Sequence, residues 1–140
     1  MSEDLEYSNT EEPRPTHYHG DTVRILFLLA SGFIFATRFV GNELPFSFGA
    51  IMMLILALVI AAGITNPAQR WIHTANMILA IAGTITFGSI AFSRIDTLEK
   101  LFSGDGLVVL ITLLFLSALY FATRTVRGLS VPHIDVTAEN

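Results

Sequence analysis

The sequence predicts an all-α membrane protein: a four-transmembrane-helix bundle, arranged as two tandem helical hairpins, between disordered polar tails. Three observations predict it. Four stretches carry no Asp, Glu, Lys or Arg: Ile25 to Thr37, Leu44 to Gln69, Trp71 to Ser93 and Gly106 to Thr123. The last three, of 26, 23 and 18 residues, are close to or above the roughly 20 that cross about 30 Å of hydrocarbon; the first, of 13 residues, needs the flanking residues of a helix over 23–40 to reach that length. Charged residues make up only 14% of the chain, against about 25% in soluble domains. A soluble helical bundle needs a polar face on its outer helices, and these runs have none.

Residues 1–21 form the N-terminal tail. Glu3, Asp4, Glu6, Glu11, Glu12, Pro13 and Pro15 leave it too little apolar surface to order itself. No signal-peptide cleavage pattern follows, so the first apolar run is expected to be retained as a helix. The membrane domain spans 22–127. Asp21 or Thr22 is the expected cap of a first helix over 23–40. Gly41-Asn42-Glu43-Leu44 makes a short turn, and Pro45 suits the first position of a second helix, 46–64. Asn66 caps and Pro67 opens the third, 68–93, with Trp71 at the headgroup level. In the link from Arg94 to Asp105, Asp96 or Thr97 would cap a short interfacial helix, with Ile95, Leu98, Leu101 and Phe102 on one side. Asp105 would cap the fourth helix, 106–123. Residues 128–140 form a flexible C-terminal tail.

Four crossings place both termini on one side. Arg14, Arg24, Arg70, Arg124 and Arg127 lie on that side, and Arg38, Arg94 and Lys100 lie opposite. The bias predicts both termini in the cytoplasm. In length and number of crossings the layout is similar to small bacterial inner-membrane proteins built from tandem hairpins. A bacterial plasma membrane is the expected location.

The two halves carry signs of duplication. Gly32, Ile34, Thr37 and Arg38 match Gly88, Ile90, Ser93 and Arg94 in spacing, and Gly49 with Arg70 matches Gly106 with Arg127. In lipid, close approach at small residues and interhelical hydrogen bonds carry association. The expected packing residues are Gly32 and Ala36 in the first helix and Ala57 and Ala61 in the second. In the third they are Asn76, Ala80, Gly83, Thr84 and Gly88. The first and third helices should therefore sit at the bundle centre. The fourth, bulky with Leu113, Leu114, Phe115 and Leu116, should be more exposed to lipid.

Chemistry-bearing residues are few. Arg38 and Arg94 could meet an anion or lipid headgroup, or snorkel beside Glu43, Asp96 or Asp105. His17 and His19, with Asp21, alternate as weak metal candidates, with His73 and His133 on the same side. Asn76, Thr84, Thr86 and Ser89 could line a polar path or bond to their own helix. No ionisable residue marks the midplane of any helix, which argues against proton coupling. There is no cysteine, no GxSxG or HExxH motif, and no catalytic pair facing another. Neither a metal nor a cofactor is expected, nor a nucleic-acid partner, since the net charge is −4. These features favour a non-enzymatic protein that acts by helix association, as a homo-oligomer or an accessory subunit of a membrane complex. A small oligomeric channel or transporter is the alternative.

Overall fold

The computed structural model describes residues 20–41, 43–64 and 70–129. Among them are five α-helices and no strand: α1 Gly20–Ala36, α2 Phe48–Gly63, α3 Arg70–Arg94, α4 Leu98–Leu101 and α5 Gly106–Leu129. Two segments, Trp71–Arg94 and Gly106–Arg127, are long and apolar enough to cross a membrane, and Phe48–Gly63 is apolar but shorter. Residues 1–19 and 130–140 of the predicted tails lie outside the described residues, as do Asn66 and Pro67, whereas Gly20, Asp21, Gly128 and Leu129, expected in the tails, belong to α1 and α5.

Each boundary has a local cause. α1 begins before Asp21 and Thr22, so both lie inside its first turn rather than capping it. It ends at Ala36, short of the expected Val40. Arg38 and Phe39 donate to carbonyls only three residues back, and Gly41 then turns the chain at φ +72°, a region open to glycine at little cost. Pro45 does not open α2. Ser47 does: it is extended, and its hydroxyl accepts from the Ala50 N–H at 3.3 Å, satisfying one otherwise orphaned donor. The short helix of the link is present as α4, with Thr97 at its N-cap position but no side-chain cap bond. At Gly106 a Cβ would run into the Leu101 carbonyl, so glycine lets α5 start directly against the end of α4.

α5 runs on past the expected Thr123 to Leu129. Charged residues end a membrane span but do not end a helix. Ala122 and Thr125 remain buried beyond that point, and the Thr123 and Thr125 hydroxyls donate to the carbonyls of Leu119 and Phe121.

Burial follows alternating steps of three and four residues. On α3 the buried line is His73, Asn76, Ala80, Gly83, Phe87 and Ile90. On α5 it is Val108, Ile111, Phe115, Ala118, Ala122 and Thr125, and on α1 it is Val23, Phe27, Ala30 and Ile34, continuing to Thr37. This is the seam spacing of side-by-side helices. α3 packs on α5, α5 on α1, and α1 on α2. α5 therefore lies between α1 and α3, which corrects the expectation of first and third helices at the centre with the fourth outside. The bulky residues weighed in that expectation do not share one face: Leu113 and Leu116 point outward, while Phe115 is fully buried.

Four phenylalanines from different segments hold the middle of the bundle. Phe87 of α3 stacks on Phe115 of α5 with centroids 5.5 Å apart. Phe27 of α1 lies 6.2 Å from Phe115, and Phe46, just before α2, lies 6.5 Å from Phe87. Such pairs contribute about 0.5–1.5 kcal/mol each beyond their burial.

Candidate functional site

At the end of the bundle away from Gly20 and Leu129, Arg94 closes α3 and reaches two other segments. Its guanidinium donates to the Glu43 carbonyl at 2.5 Å and to the Asp105 carboxylate at 3.5 Å. It thereby ties the α1–α2 turn to the start of α5. The Asp105 carboxylate faces Arg94, not the α5 backbone it was expected to cap. Arg38 is exposed and sits over the Phe48 ring, 5.7 Å from its centroid. Arg38, just past α1, and Arg94, at the end of α3, thus each meet the segment that opens the next long helix. The hydroxyls of Thr37 and Ser93, equivalent in the proposed repeat, donate to Ile34 and Ile90 at 2.7 and 2.8 Å. Asp96, the remaining expected partner of these arginines, pairs with Lys100 at 2.9 Å instead. That bond holds its carboxyl below the ordinary 3.8.

The opposite end is built on Arg24, which sequence reasoning counted only as a charge. Its Nε donates to the Ala62 carbonyl at 2.6 Å, and a terminal nitrogen donates to Asp21 at 3.2 Å. The cation thus satisfies an orphan carbonyl in the last turn of α2 and complements the negative end of the helix dipole.

The small residues divide into three groups. Ala80 and Gly83 are buried in the α3–α5 seam. A Cβ on Gly83 would fall inside the Phe115 ring. Thr84 and Gly88 flank this seam, half-buried; the nearest atom to a Cβ at Gly88 is the Thr112 methyl at 3.6 Å, an ordinary contact. The expected stripe of every fourth residue is therefore corrected to steps of three and four, because 3.6 residues per turn carries a fixed step of four off the seam. Gly32 lies exposed with nothing within 4 Å of a Cβ, and Ala36 is half-buried.

Ala57 and Ala61 instead face α3 across a cleft. Its volume is about 560 Å³, and Ile60, Trp71, Ala75 and Leu79 also line it. Asn76 forms part of the same wall. It is 9% exposed, and no hydrogen-bond partner for its carboxamide is found among the described residues. Below, a smaller cavity of about 90 Å³ shares Leu79 and Ala82 with the cleft and continues to Leu54, Phe87 and Phe115.

The hydroxyls expected to line a polar path turn inward on their own helix: Thr84 donates to Ala80 at 2.8 Å and Ser89 to Thr86 at 2.8 Å. His17, His19 and His133 lie outside the described residues. His73 is buried on α3, and no cluster of three metal-ligating side chains occurs among the described residues. Comparison with protein families, curated proteins and solved structures finds no match to the chain.

Proposed function

We propose that this chain crosses the membrane four times as two tandem hairpins and works without catalysis, by presenting a helix face to another membrane helix. The partner helix belongs to a second copy or to a larger complex in which the chain is an accessory subunit. The arginine-rich end, with both termini, faces the cytoplasm of a bacterial cell.

Support for the crossings comes from where apolar surface lies. Less than two-fifths of either long apolar helix is buried in the bundle. Ile78, Ile85, Leu113 and Leu116 are among many large apolar side chains half exposed or more, and a water-soluble protein rarely leaves so much contiguous apolar surface. α1 and α2, at 17 and 16 residues, are near the lower bound for a span, about 17 residues.

The observation that carries the association reading is Gly32. It sits in the outward face of α1 among exposed Leu28, Leu29 and Phe35, with open space where a side chain would be. Ala36 follows one turn later. A glycine there costs the helix about 0.5–1 kcal/mol relative to alanine. The pattern offsets that cost when a partner backbone closes on it.

The chain has no cysteine, so a Gly32→Cys variant carries a single reporter. Oxidation in native membranes should give a covalent dimer or a discrete adduct with a second protein, and Gly32→Ile should prevent co-purification of that partner. A Gly32→Cys chain that gives no adduct in native membranes, with no partner co-purifying with the parent chain, rules association out. Solute flux in liposomes that Thr84→Leu abolishes would put conduction in its place.

A further inference from the structure

The four helices close three of the four seams expected of two paired hairpins: α1–α2, α1–α5 and α3–α5. The cleft occupies the fourth, between α2 and α3. We propose that this cleft is a binding site for one anionic glycerophospholipid of the leaflet on the side of the termini, with an acyl chain lying between α2 and α3. The proposal rests on the membrane-spanning reading above and is independent of the association face on α1.

Dimensions select the occupant. The lining of the cleft and its continuation runs along α2 from Ile64 down to Leu54, about 15 Å at 1.5 Å per residue. That is half of a hydrocarbon layer about 30 Å thick, the depth one leaflet's acyl chains fill. The volume, about 560 Å³, lies within the range of roughly 300–1,000 Å³ typical of small-ligand sites. Except for Asn76, the lining side chains are aliphatic or aromatic.

Two polar features set the headgroup end. Asn76 stands about 7.5 Å below Trp71 along α3, nine-tenths buried in the cleft wall with no partner among the described residues. A carboxamide in hydrocarbon needs a partner, and an acyl ester carbonyl at that depth accepts from its NH₂. Above it the charge is positive. Arg24 is anchored at the Ala62 carbonyl, next to the cleft residue Ala61. Arg70, Arg124 and Arg127 belong to the same end of α3 and α5, and Asp21, bonded to Arg24, is the only carboxylate there among the described residues. The opposite end carries Glu43, Asp96, Glu99 and Asp105 against Arg38, Arg94 and Lys100. An anionic headgroup therefore finds complementary charge at one mouth only.

The test uses the full chain in phosphatidylcholine vesicles containing phosphatidylglycerol with a photoreactive diazirine midway along one acyl chain. Adducts should concentrate on Ala57–Ile64 and Trp71–Ala82. Unlabelled phosphatidylglycerol should compete, and added phosphatidylcholine should not. Ala61→Phe and Ala75→Phe, which fill the cleft from opposite walls, should each cut the labelling by about tenfold, or about 1.4 kcal/mol of binding. Asn76→Leu, which keeps the volume, should also lower it. Labelling spread evenly over the outer faces of α1 and α5, or unchanged in the cleft-filling variants, overturns the lipid site, as does an Ala57→Cys disulfide between two copies. Extraction of the same samples with alkaline carbonate separates the two levels. A chain released to the aqueous phase defeats the membrane reading itself, whereas a retained chain with unselective labelling defeats only the lipid site.

Discussion

The Phe115 ring lies against the backbone of Gly83, in the space a side chain at that position would need. The ring cannot swing away, because it is fully buried and stacked on Phe87 with Phe27 beside it. Gly83→Ala therefore overpacks the α3–α5 seam and should destabilise the fold by about 1–3 kcal/mol, read as a lower thermal midpoint in mild detergent. Phe115→Leu in the same chain should recover part of that loss. A Gly83→Ala protein as stable as the parent would show that this seam is not formed.

The same pair marks how far the sequence could be read. The four uncharged runs and the short helix in the link follow from composition and spacing, because charges and turn residues are scarce enough to be informative; for Arg94 the sequence offered Glu43, Asp96 and Asp105 alike, and Asp105 is the carboxylate that it meets. Which face of each helix packs inward is a different matter. On these helices many outward side chains are as apolar as the inward ones, so Leu113 and Phe115 look alike in sequence and only Phe115 is buried. The order of helices around the bundle depends on the size match between Gly83 and Phe115, which are distant in sequence. Arg24 escaped notice for a related reason: its partner is a backbone carbonyl of α2, which leaves no mark in the residue types.

The Asp96–Lys100 pair predicts a local pH response. The hydrogen bond from Lys100 holds the Asp96 carboxyl below 3.8, so the folded link binds its proton less readily than the unfolded chain. Its small contribution is fully present above the ordinary carboxyl range and is lost as pH falls through the depressed value. Carbon NMR of the Asp96 carboxyl should show a midpoint under 3.8, and Lys100→Gln should raise it. A midpoint unmoved by that substitution would remove the pair as its cause.

Arg94 is expected to act as a tie between segments. Arg94→Ala removes the bonds to the Glu43 carbonyl and to Asp105 together and should cost about 1–2 kcal/mol. This is the lower part of the range for hydrogen bonds to a charged group, because the site is partly exposed. Asp105→Asn keeps the carbonyl bond and should cost less. Thermal unfolding of the two variants checks the order, and a larger loss in Asp105→Asn would reverse the assignment.

Gly32 gives the opposite expectation to Gly83, although both are glycines within helices. A Cβ at Gly32 meets nothing within 4 Å, and the backbone there is ordinary helix, since Gly41 is the one glycine with positive φ among the described residues. In dispersed detergent, Gly32→Ala should therefore raise stability by about 0.5–1 kcal/mol, because alanine restricts the unfolded chain more than glycine does. In native membranes the added methyl should instead weaken association, since it holds a partner backbone away from α1. The two measurements move in opposite directions only if Gly32 is open within the chain and covered between chains. A stability loss in detergent would mean that α1 turns this face inward, and the association surface would have to be sought on another helix.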